Sequence, residues 1–125
     1  MNRIHKRVLI ALPLVAFALA QACGFLSPCS DEMLSEVFSP DERWVASIFV
    51  RNCGATTDFA TRVEVRWRSN QSSEDDRVFV VNGKPEVHVH WLDESTLAVK
   101  CEECVDEDIR RRMTKLGSIK IEFEK

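Results

Sequence analysis

Glycine is scarce in this 125-residue chain, four in all, and none sits in the Gly-rich loop that cradles a phosphate. Nucleotide chemistry of that kind is excluded. Downstream of residue 20 there is no apolar run long enough to span a bilayer as a helix, and no low-complexity tract beyond the polar stretch from Ser69 to Asp76. Histidine is nearly absent. Of three residues His5 lies in the basic N-terminal segment, so histidine-based chemistry rests on His88 and His90 alone. An excess of basic charge is also missing. The formal net charge is −3, and the first 22 residues hold three basic and no acidic groups, which leaves −6 for the remainder. That sign argues against nucleic acid or anionic lipid as the main partner.

What is present begins at the N-terminus. Arg3, His5, Lys6 and Arg7 precede an apolar run from Val8 to Ala20 that ends at Ala20-Gln21-Ala22-Cys23. A basic start, a short apolar stretch and small residues before a cleavage point predict an export signal over residues 1–22. Ala20 and Ala22 suit an ordinary secretory cleavage. Leu19-Ala20-Gln21-Ala22-Cys23 also resembles the lipobox of bacterial lipoproteins, with Ala20 where those usually carry leucine. That resemblance implies that Cys23 becomes the mature N-terminus, bears a thioether-linked diacylglycerol and usually a third chain on its amine, and so anchors the protein stably. Cysteine arithmetic agrees, because five cysteines are awkward in an oxidising compartment and lipidating Cys23 leaves four. Residues 23–30 then form a lipidated tether. The expected address is the cell envelope, lipid-anchored and facing the periplasm. In a bacterium with two membranes, Gly24 rather than Asp after the cysteine implies the outer one. A secreted or soluble periplasmic protein is the alternative. The expected partners are the membrane, through the anchor, and an envelope protein.

About a hundred residues follow, enough for one hydrophobic core and one domain, residues 31–125. Period-two alternation runs through Trp44, Ala46, Ile48 and Val50, then Phe59 to Trp67, then Val87, Val89 and Trp91, then Leu97, Val99 and Cys101. Arg62, Glu64, Arg66 and Arg68 occupy the opposite face of the second segment, which predicts a partly wet sheet. Asn82-Gly83 marks a turn. An odd loop at Asp93-Glu94-Ser95 is needed to keep Val89 and Trp91 on the face of Leu97 and Val99. Glu32 to Phe38 reads as a strand, because the turn after it needs a partner. Near the end, Val105, Ile109, Met113 and Leu116 are spaced for one helix face. Asp106, Glu107 and Asp108 come first, Arg110, Arg111 and Arg112 follow, and Gly117 closes. The expected fold is therefore α+β: a single, mostly antiparallel sheet of about six or seven strands with one helix near 105–116 before a last strand, Ile119 to Phe123.

Ser39-Pro40-Asp41, with Trp44 after it, resembles the Ser-Pro-Asp-Gly turn of β-propeller blades, although Glu42 stands at the glycine and the chain is too short for a closed propeller. Followed by Cys53-Gly54-Ala55-Thr56-Thr57, it is similar to a family of small uncharacterised exported bacterial proteins and lipoproteins with such a turn and a Cys-Gly-Ala-Thr-Thr segment. The resemblance covers roughly Cys29 to Val65. It implies export and a Cys29–Cys53 disulfide, and it implies no reaction.

Other chemistry weighs against plainer readings. Cys53 as a nucleophile assisted by Thr56, Thr57 or Asp58 lacks a nearby histidine, and exported thiols tend to be paired. Cys101-Glu102-Glu103-Cys104 has the spacing of a redox motif or half a zinc site, yet its acidic surroundings disfavour a thiolate, so a local disulfide is expected. Glu86, His88 and His90 on one strand face are the alternative metal ligands, completed if Glu102 lies across the hairpin. A solvated strand face is the plainer reading. With no catalytic constellation and no cofactor signal, the expectation is a non-enzymatic binding or structural module. A metal-binding or thiol-active periplasmic protein is the alternative.

Overall fold

A computed structural model, which describes residues 29–54 and 58–125, contains nine strands among those residues. The export segment, Cys23, the tether up to residue 28 and Thr56 with Thr57 lie outside the described residues. The strands are β1 (Ser30–Phe38), β2 (Trp44–Asn52), β3 (Ala60–Trp67), β4 (Arg77–Asn82), β5 (His88–Asp93), β6 (Thr96–Lys100), β7 (Ile109–Arg112), β8 (Lys115–Leu116) and β9 (Ile119–Glu124). They form two sheets, one ordered β1-β2-β3-β4-β7 and the other β5-β6-β9-β8. Ile48, Val63 and Phe79 of the first pack with Leu97, Val99 and Ile121 of the second in one core, each at most 3% exposed. Burying such a side chain contributes about 1.5–3 kcal/mol, and it is this shared interior that makes a sandwich of the two sheets.

The architecture corrects the expected α+β fold. Among the described residues there is no α-helix, and the sheet is not single. The segment 105–116 is a 3₁₀ turn at Asp106–Asp108 followed by β7 and β8. Its helix-like spacing has another cause. Ile109 faces Val81 and Arg111 faces Val80, so Arg110 is an extra residue in a bulge. That bulge and the turn after β7 put apolar residues four and three positions apart without helical geometry, while Val105, the first of the supposed stripe, is 52% exposed. Tertiary demand decides the matter: β4 needs a partner on its open side, and β7 supplies its hydrogen bonds. Gly117, read as a helix stop, has φ +58 in the two-residue turn between β8 and β9, where Leu116 pairs with Ile119.

One pairing is parallel. The chain leaves β6, crosses to the first sheet for β7, and returns through β8, so β9 runs alongside β6 with Leu97 facing Ile121 and Val99 facing Phe123. In the β5–β6 hairpin Val89 faces Val99 and Trp91 faces Leu97, as the two-face argument requires. The odd count comes from an irregularity between Trp91 and Asp93 added to a two-residue turn. At the β1–β2 turn the Ser39 hydroxyl donates to Asp41 Oδ1 at 2.6 Å and accepts from the Trp44 amide at 3.0 Å. Glu42 takes φ +60, the left-handed conformation a glycine adopts freely and an L residue enters at a cost of roughly 1–2 kcal/mol.

Candidate functional site

The four cysteines within the described residues are joined in two disulfides, Cys29 to Cys53 and Cys101 to Cys104. The first closes the open end of the β1–β2 hairpin, beside the Ser30–Asn52 pair. The second ties the connection by which the chain leaves β6, and both its sulfur-bearing residues pack against the core.

Glu86, His88 and His90 do lie on the outer face of the second sheet, but they do not converge. His88 Nε2 is 2.9 Å from Glu86 Oε1, whereas His90 Nε2 is 3.3 Å from Glu124 Oε1. Lys100, opposite His88 in register, holds Glu102 at 2.8 Å, so an ammonium occupies the place from which a further ligand would come. Among the described residues no group of three or more His, Cys, Asp and Glu side chains is placed to hold a metal ion.

The densest chemistry is elsewhere, on the outer face of the first sheet. Register puts Asp31 of β1 opposite Arg51 of β2, and Arg62 and Glu64 of β3 in the neighbouring row. Arg51 donates to both oxygens of Asp31 at 2.9 and 3.1 Å, and Arg62 does the same at 2.9 and 3.0 Å. Arg62 Nε then reaches Glu64 Oε1 at 2.7 Å, and its guanidinium lies over the Phe49 ring, 4.7 Å from the centroid. The Ser72 hydroxyl donates to the other Glu64 oxygen, Oε2, and Arg77 Nε stands 3.7 Å from Oε1. Two forked guanidinium–carboxylate contacts on one carboxylate are geometrically demanding and strong for their kind.

The partly wet face expected for β3 is found at Arg66 and Arg68 but not at its first two charged residues. Arg62 is only 7% exposed and Glu64 only 1%, because Phe49 and the polar loop carrying Ser72 cover them. Sequence reasoning singled out neither Asp31 nor Arg51. The available signal was an acid on β1 and arginines on β2 and β3, and only the register brings them together. Every oxygen of Asp31 and Glu64 is engaged within the network, so the arrangement acts as a register lock across β1, β2, β3 and β4 and presents no free base to a substrate. A one-residue slip of β1 would turn Asp31 to the other face.

The lock has a pH signature. Hydrogen bonds from Arg51, and next from Arg62, hold the Asp31 carboxyl well below the usual carboxylate range. Its folded-state pKa is depressed, so the unfolded chain binds the proton more readily and stability rises with pH. The contribution is fully present above the ordinary carboxylate value of about 3.9 and is lost as pH falls below it toward the folded value. We expect Asp31→Asn to be less stable than the native chain at neutral pH and to show a shallower loss in acid. Urea midpoints measured against pH for both chains check this, and parallel curves would refute it.

The fold and its bonds define the class: an all-β sandwich domain tied by two disulfides, with an internally satisfied charge network on one face. The chain belongs to DUF5412, a family of unknown function, whose model matches residues 6–109. That match runs from the basic N-terminal segment into β7 and stops short of β8 and β9. No curated protein and no solved structure matches the chain.

Proposed function

We propose that this chain is a lipoprotein of the bacterial cell envelope, exported through residues 1–22 and acylated on Cys23, and that its folded domain serves as a non-catalytic binding or structural module. The observation that carries the reading is the pairing of cysteines. Cys29 with Cys53 and Cys101 with Cys104 account for every cysteine but one, and the odd residue is Cys23 in its lipobox-like setting. Disulfides persist in oxidising compartments, which agrees with an address facing the periplasm or the exterior. Engagement of both domain histidines by carboxylates on an open sheet face favours a non-catalytic role over a histidine-dependent one. Outer-membrane delivery in a two-membrane bacterium follows from Gly24.

Fatty-acid labelling in the native host tests the proposal. The native chain is expected to incorporate labelled palmitate and sediment with membranes, and Cys23→Ala to lose the label and move to the soluble fraction. Membrane association and labelling unchanged in that variant would overturn the reading.

A further inference from the structure

β1 keeps Val37 beside Ala46 on the inner face but turns Met33 away from the core. Its cross-strand partners place Glu32 beside Val50 and Ser35 beside Ile48, on the face toward the second sheet, while Met33 pairs with Phe49 on the outer face. The register shifts between Met33 and Ser35, leaving Leu34 as an unpaired bulge residue. A bulge re-aims side chains, and here two successive aliphatic residues end in solvent, Met33 at 52% and Leu34 at 55% exposure. At the same end of the domain Phe59, 36% exposed, lines a separate cleft with Ser30, Asp31, Glu32 and Val50. Lys84 Nζ sits 3.8 Å from the Phe59 ring centroid. An aromatic ring with a long-stemmed cation on it suits the headgroup level of a bilayer, where the stem buries and the ammonium stays wet.

These residues lie at a particular end of the domain. Cys29, bonded to Cys53, abuts Ser30 at the start of β1, and Met33 follows three positions on, about 10 Å along the strand. Cys23 precedes Cys29 by six residues, a span that reaches at most about 20 Å when fully extended. A chain acylated at Cys23 therefore holds this end, and not the other, against the lipid. The far end is marked by Trp91, whose indole donates to the Val37 carbonyl at 3.0 Å, with Leu92 beside it 48% exposed.

We propose that Met33 and Leu34 form a contact surface for the lipid bilayer to which Cys23 is tethered, so that the domain leans on the membrane by its β1 edge. The inference rests on the lipoprotein reading. Asp31, Glu32 and Glu36 share the strand, so attraction to anionic headgroups does not drive the contact. It is apolar, and it persists on neutral phosphatidylcholine and in high salt.

The test uses the full acylated chain in phosphatidylcholine vesicles, with Leu34→p-benzoylphenylalanine and, separately, Leu92→p-benzoylphenylalanine as photocrosslinking variants. Illumination is expected to give lipid adducts from position 34 in several-fold excess over position 92, with no loss in high salt. Equal adducts, an excess from position 92 or none at all, on a chain that still floats with the vesicles, overturn the contact surface and leave the anchor standing. A chain that does not float overturns the anchor and the contact surface together.

Discussion

Replacing Cys29 and Cys53 together by serine is expected to lower stability by about 2–5 kcal/mol, and replacing Cys101 and Cys104 to cost markedly less. The two bridges close loops of very different length, with sequence separations of 24 and 3. In the chain-entropy model the longer loop contributes about 3.5 kcal/mol and the shorter about 2, so the ranking follows from the unfolded chain alone. The folded side adds to the difference. β1 is an edge strand with a sheet partner on one side only, and Asp31 of the charge network lies two residues beyond Cys29. Without the bridge, β1 frays from the end that also carries the lock. Urea denaturation of the purified domain measures the loss, and amide exchange should quicken first between Ser30 and Met33 in the Cys29→Ser, Cys53→Ser chain. Equal losses for the two pairs would sink the argument, as would peptide mapping that finds Cys53 joined to Cys101 or Cys104.

The second large effect is expected at the buried ion pair. Arg62→Met leaves Glu64, 1% exposed, without its closest cation and deprives Asp31 of one of its two forks. Breaking one partner of a buried pair costs about 3–5 kcal/mol, because the charge left behind is neither solvated nor matched. Arg62→Met combined with Glu64→Leu removes both charges and keeps the volume, and apolar replacement of a whole buried pair is often close to neutral. The double variant should therefore be more stable than Arg62→Met alone. A double-mutant cycle by chemical denaturation reads this directly, and simple additivity of the two single losses would show that the pair is not coupled.

Strand positions were legible where apolar residues recur at every second place. Trp44, Ala46, Ile48 and Val50, and Leu97 with Val99, do so, and the observed registers keep each set on one face, although Val45, Ser47 and Ala98 on the opposite faces are buried as well. Even Glu32 to Phe38, whose period is broken by Met33-Leu34, could be argued from the turn after it, and β1 occupies that place. The region after Cys104 was not legible, because a bulge in β7 and a glycine turn imitate the apolar spacing and the stop of a helix. Helical pairing of Asp106 with Arg110, Glu107 with Arg111 and Asp108 with Arg112 looked favourable, yet none of the three forms, and Arg112 lies 3.6 Å from Asp106 instead. The charge network was invisible for a different reason. Asp31, Arg51 and Arg62 are far apart in sequence, and nothing local tells Arg62 from Arg68, which is exposed, until the loop bearing Ser72 is folded over the sheet.

The parallel pairing of β6 with β9 sets the order in which the chain can become a protein. Leu97 and Val99 have β5 on one side early, but on the other they wait for Ile121 and Phe123, which come last of all the strands. A non-local contact of this kind is slow to close, and the interior shared by the two sheets stays incomplete until it does. A polypeptide threaded through a narrow opening N-terminus first thus stays incomplete along its path and closes its interior only once its final strand has arrived.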